Sequence, residues 1–153
     1  MTDAADRLLI GAAETEAVGT ALAKALRPGD AIALHGDLGT GKTTLARGLL
    51  RAIGFAGDVP SPSFPIVIAY DPPEVRLPLW HVDLYRIEDE DEIAELGLDE
   101  ARADTVLLIE WPERLGPLLW PDTLKLRLDR EGDDRRRLTW TVPPAWEGRW
   151  PPR

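Results

Sequence analysis

Cysteine is absent from the 153 residues, which rules out a disulfide framework, a thiolate metal site and a cysteine nucleophile. No apolar run approaches the roughly 20 residues that span a bilayer. The first residues, Met1 to Asp6, carry acids where a signal peptide needs positive charge and then an apolar stretch. A soluble, cytoplasmic protein with no membrane association is therefore expected. Positive charge is also scarce: Lys and Arg number 18 against 27 Asp and Glu, a net charge of −9. Tight, independent nucleic-acid binding depends on neutralising phosphates. Such a chain meets RNA through a partner if it meets RNA at all. No internal repeat is present, and no Asn-Lys-x-Asp motif that would read guanine.

What is present is a phosphate-binding loop. Gly36-Asp37-Leu38-Gly39-Thr40-Gly41-Lys42-Thr43, followed by Thr44, fits G-x-x-x-x-G-K-[ST]. The apolar run Ala31–Leu34 precedes it as a strand. Apolar residues at 45, 46, 49, 50 and 53 follow at helical spacing, with Gly54 at the stop. The glycines let the backbone approach a polyphosphate closely. Successive N–H groups then form an anion nest at the positive end of the helix. In this motif Lys42 reaches the β- and γ-phosphates and the Thr43 hydroxyl ligates Mg²⁺.

The remaining pattern predicts strands at 7–10, 66–70, 77–85 and 105–109, with 66–85 forming a hairpin pair. Helices are predicted at 14–26 and from the acidic 88–92 run through Leu96. Residues 54–65 read as a loop, and 123–129 with 136–142 as a hairpin. One domain over 1–142 is expected. The Pro- and Trp-rich tail 143–153 is expected to pack loosely or remain disordered.

A P-loop ATPase also needs an acid at the end of a neighbouring apolar strand. Glu110 ends the most strand-like run of the chain and is the first candidate, with Trp111 beside it. Asp83 ends a weaker strand, and a surface ion pair with Arg86 would explain it equally well. Ser63, in Ser61-Pro62-Ser63-Phe64, stands where P-loop proteins carry a switch; it would offer a hydroxyl to the metal or merely cap a turn. His81 reads as a core or hydrogen-bonded histidine rather than a catalytic one. Arg135-Arg136-Arg137 are expected to pair locally with Asp133 and Asp134.

Together these segments resemble the TsaE (YjeE) family of small bacterial P-loop ATPases, required to form threonylcarbamoyladenosine on tRNA. The likeness covers about residues 8–140. It is carried by the phosphate loop, Ser61–Phe64, His81-Val82-Asp83-Leu84-Tyr85-Arg86, Glu95-Leu96-Gly97-Leu98 and Glu110-Trp111-Pro112-Glu113-Arg114. It implies an α/β fold of P-loop NTPase type, a three-layer sandwich around a mixed β-sheet. It also implies ATP as substrate, Mg²⁺ as cofactor and slow hydrolysis. The implied partner is the TsaD–TsaB heterodimer that transfers the threonylcarbamoyl group, with tRNA reached only through that complex. By matching motifs, Lys42 would hold phosphates, Thr43 and Glu110 would place Mg²⁺, and Asp83 would be a further functional acid. Two positions depart from the family pattern: Ser63 replaces its usual Thr, and Ala69 its usual Glu. A small-molecule kinase, with the arginine-rich 127–137 segment as a lid, is the alternative.

Overall fold

The computed structural model describes residues 6–152. The elements run β1 (Asp6–Ile10), α1 (Gly11–Ala25), β2 (Ala31–His35), α2 (Lys42–Ala52), β3 (Val67–Tyr70), β4 (Leu79–Asp83), α3 (Glu90–Leu96), α4 (Leu98–Ala101), β5 (Val106–Glu110), β6 (Leu124–Arg130) and β7 (Arg135–Thr141). Short 3₁₀ helices cover Pro112–Leu118 and Pro144–Trp146.

The strands form one seven-stranded sheet in the order β1-β7-β6-β2-β5-β4-β3. β6, β2, β5 and β4 are mutually parallel, and β3, β7 and β1 add antiparallel edges. The expected α/β class with a mixed sheet is what the chain adopts. β2 and β5 are buried almost throughout, as central strands covered on both faces must be. Alternation sorts the side chains of β5 between two cores. Val106 and Leu108 face α1 and α2. Leu107 and Ile109 face the layer of α3, α4 and the first 3₁₀ helix.

The α1–α2 contact is made by two glycines. A Cβ on Gly48 would lie 2.1 Å from the Glu16 carbonyl oxygen, and one on Gly19 2.1 Å from that of Leu45. The helix that follows the phosphate loop is therefore seated against α1 backbone to backbone. Gly48→Ala is expected to destabilise the fold by about 1–3 kcal/mol through overpacking. For a chain of this size that lowers the melting temperature by roughly 3–10 °C. An unchanged thermal melt would contradict the close approach.

The C-terminal segment corrects the expectation of a loose tail. Trp146 and Trp150 are buried, and Trp150 packs edge-on against Trp140 with centroids 5.9 Å apart. Arg149 stacks on Trp146 and donates to the Ala25 carbonyl and to Asp30. Proline content excludes regular helix or strand here, but it does not prevent burial, and each tryptophan brings a large apolar surface.

Candidate functional site

The sequence places the site where three parallel strands end. The phosphate loop leaves β2 after His35. The ends of β5 and β4 lie beside it, with Leu34 in register with Glu110 and Glu110 in register with Asp83. Ligands of open α/β sheets bind outside such carboxyl ends.

Gly41, at φ 104°, is the N-cap of α2 and supplies no side chain to its first turn. Gly36, at φ 149°, has no room for a side chain, since a Cβ would lie 2.7 Å from both the Leu128 carbonyl oxygen and Thr40 Oγ1. The first N–H groups of α2 therefore open onto the loop interior, a position suited to an anion. The loop is also held through its carbonyls. Arg136 Nε donates to the Thr40 carbonyl at 3.0 Å, and Thr40 Oγ1 donates to that of Asp37 at 2.9 Å.

Lys42 is buried. Its Nζ donates to the Gly36 carbonyl at 2.7 Å, stands 3.8 Å from Glu110 Oε1 and lies 4.5 Å from the centre of the Trp111 ring. Glu110 divides its two oxygens. Oε1 faces Lys42, while Oε2 lies 2.6 Å from Nε2 of the fully buried His81. His81 Nδ1 has no partner, so the ring's one side-chain contact is the one Nε2 makes to Glu110.

Asp83 is buried too. Oδ2 accepts from Ser63 Oγ at 2.9 Å and Oδ1 from the Tyr85 N–H at 2.8 Å. Arg86 turns away to stack on Phe64, which removes the surface ion pair considered for Asp83. Beyond β2, burial pushes the His35 pKa below the ordinary histidine value. Glu113, 3.4 Å away, opposes this, and Arg127, Lys125 and Lys42 reinforce it.

Lys42, Thr43, Ser63, Asp83, Glu110 and Trp111 all line one cavity of about 400 Å³. The residues expected to share a site are thus brought together. Leu38, Gly39, Gly41 and Thr44 line the same cavity. Among the described residues no group of three His, Cys, Asp or Glu could hold a metal unaided. The Thr43 hydroxyl and the Glu110 carboxylate in this cavity are donors of the kind that Mg²⁺ takes, one or two from the protein together with substrate phosphates.

Backbone strain collects at the same place. Among the described residues only Ile66 (φ 70°) and Trp111 (φ 55°) are non-glycines at positive φ. Such conformations cost about 1–3 kcal/mol each and persist only where surroundings impose them. Ile66 is imposed from both sides: its N–H donates to the Pro62 carbonyl and its carbonyl accepts from the Asp83 N–H, each at 2.8 Å. Trp111 is wedged against Tyr85, with ring centroids 4.9 Å apart.

Comparison with known proteins completes the assignment. A family model described as threonylcarbamoyl adenosine biosynthesis protein TsaE matches residues 10–138. The chain belongs to the TsaE family. A family relative from Bacillus subtilis, named tRNA threonylcarbamoyladenosine biosynthesis protein TsaE, is 41% identical over 130 residues, covering 84% of this chain and 80% of its own. A protein of the same name from Streptomyces coelicolor is 43% identical over 129 residues, covering 81% and 87%. The crystal structure of Bacillus subtilis YdiB superposes with a TM-score of 0.79 at 32% identity, over 94% of this chain and 89% of that one.

Two arrangements escaped the sequence reading. Arg136 binds the phosphate loop and Arg137 binds Glu131, so neither takes the expected partners Asp133 and Asp134. Nor is 127–137 a lid, because it is the β6–β7 hairpin of the sheet. His81 is hydrogen-bonded as expected, but to the central acid of the site. Strand periodicity carried that signal: His81 and Asp83, two residues apart, share one face of β4.

Proposed function

We propose that this TsaE-family chain is an ATP-binding, slowly hydrolysing switch that serves threonylcarbamoyladenosine formation on tRNA. It acts on the TsaD–TsaB complex rather than transferring the group itself. The observation that carries this reading is the single cavity where Lys42 and Thr43 of the loop meet Glu110, Asp83 and Ser63. The loop and Lys42 bind the triphosphate. Thr43 and Glu110 would hold Mg²⁺, which neutralises charge developing on the phosphoryl oxygens. Asp83 orients the attacking water or the metal's water shell.

A second cavity of about 280 Å³, lined by Gly11, Thr15, Thr44, Asp134 and Arg136, adjoins the loop without reaching Glu110 or Asp83. It provides room for the nucleoside. The switch character rests on segment 61–66, tied through Ser63 and Ile66 to the strand end that carries Asp83. A change at the γ-phosphate reaches the exposed side chains of Leu38, Phe64 and Tyr85 around the cleft mouth. These form the surface whose shape depends on nucleotide.

ATP hydrolysis measured with and without purified TsaD–TsaB tests the reading. Stimulation by the pair is expected. Absence of both stimulation and binding would overturn it, and phosphoryl transfer from ATP to a metabolite would point to the kinase alternative.

A further inference from the structure

The net charge of the chain is concentrated in one segment. Residues 88–104 contain nine carboxylates and one arginine, whereas the rest of the sequence is nearly balanced. This segment builds α3 and α4, and these helices form one wall of a cavity of about 430 Å³ on the sheet face opposite α1 and α2. The floor and the other wall are apolar: Ile93, Leu98, Leu115, Leu118 and Trp120. Leu118 is 47% exposed, one of the few large apolar side chains left in water.

Some of the acids have local duties. Asp89 caps α3 by accepting from the Glu92 N–H, Glu92 accepts from the Glu88 N–H, and Asp99 accepts from the Trp120 indole. The one arginine, Arg102, is held in a two-pronged pair with Asp122. Glu90, Asp91 and Glu100 line the cavity, and among the described residues their carboxylates make no hydrogen bond or ion pair.

We propose that this groove is a docking site for a protein segment that presents an apolar anchor between lysines or arginines. Charge complementarity selects that occupant. Unneutralised carboxylates around an apolar floor attract and orient a basic segment, and they repel RNA phosphates and anionic membranes.

Position links the groove to the nucleotide site. One wall continues from β4 four residues after Asp83, through Ile87 into α3. The other is the Pro112–Leu118 helix, which begins two residues after Glu110. Arg114 bridges the two by donating to the Tyr85 carbonyl at 3.1 Å. The ends of the strands bearing both acids therefore lead directly into the two sides of the groove.

Two titrations test the proposal. The first adds a helical peptide with leucines at i, i+3 and i+7 flanked by lysines to the ¹⁵N-labelled full chain, with a glutamate-flanked peptide as comparison. The lysine peptide is expected to shift the Trp120 indole and the Leu115, Gly116 and Leu118 amides saturably, with weaker binding as salt rises from about 50 to about 300 mM. No saturable response there, or an equal response to both peptides, overturns the proposal.

The second titrates purified TsaD–TsaB against the native chain, a Glu90→Lys/Asp91→Lys/Glu100→Lys variant and Leu118→Ser. At least tenfold weaker association with unchanged ATP affinity is expected for both variants; native-like association overturns the groove as a docking site. This arm rests on the functional reading above. If the pair ignores the native chain as well, that reading fails, and the peptide titration alone decides for or against the groove. Sedimentation showing that the native chain self-associates through this face, and the charge-reversed variant does not, also overturns the proposal in favour of a second copy.

Discussion

Lys42→Ala is expected to weaken ATP binding by at least about a hundredfold, measured by calorimetric titration in the presence of Mg²⁺. The side chain supplies charge-assisted hydrogen bonds worth about 1.5–3 kcal/mol each, and about 1.4 kcal/mol corresponds to a factor of ten in affinity. Arg136 also lines the cavity, but its guanidinium is engaged by the loop carbonyls of Thr40 and Gly39. The same substitution leaves Glu110 without the ammonium group 3.8 Å away. Loss of one member of a buried charge pair is destabilising, so the melting temperature is read in parallel. Lys42→Met, which keeps the aliphatic stem, separates lost packing from lost charge. Affinity within threefold of native for both variants would show that ATP does not bind through the phosphate loop.

Glu110→Gln gives the opposite profile. Hydrolysis is expected to fall by about a hundredfold or more, as for loss of a group that acts mainly in the transition state, while ATP affinity changes by less than about fivefold. His81 sharpens the test. His81→Leu removes the donor at 2.6 Å that fixes one Glu110 oxygen, and loss of such a supporting contact typically costs tenfold to a hundredfold. His81→Gln, which retains an N–H at a comparable reach, is expected to recover most of the rate. Mg²⁺ dependence of ATP binding supplies a readout besides turnover, and should weaken in His81→Leu and recover in His81→Gln. If Gln fares no better than Leu, the histidine serves packing alone.

The legible part of this protein was its local grammar. The phosphate loop, the strand that feeds it and the helix that follows are contiguous, so spacing alone locates them. The 66–85 and 123–142 hairpins are likewise settled by nearby turn residues. Long-range contacts were not legible. Arg136 meets Thr40 across 96 residues of sequence, and that contact exists only because β6 lies beside β2. Asp83 looked like half of a surface pair because Arg86 follows it three positions later. Its burial depends instead on β4 lying between β3 and β5. The six tryptophans could be counted, but not where Trp146 and Trp150 insert, because a proline-rich segment has no periodicity to reveal its buried side.

Those two tryptophans bear on where this protein can be cut. The family model matches only as far as residue 138, yet Trp140, Trp146 and Trp150 form a buried cluster beyond that limit. An expression boundary chosen from shared sequence would strip the aromatic plug from behind β2 and α1 and free Asp30 of its guanidinium clasp. The stretch that the family model matches is thus shorter than the unit that folds.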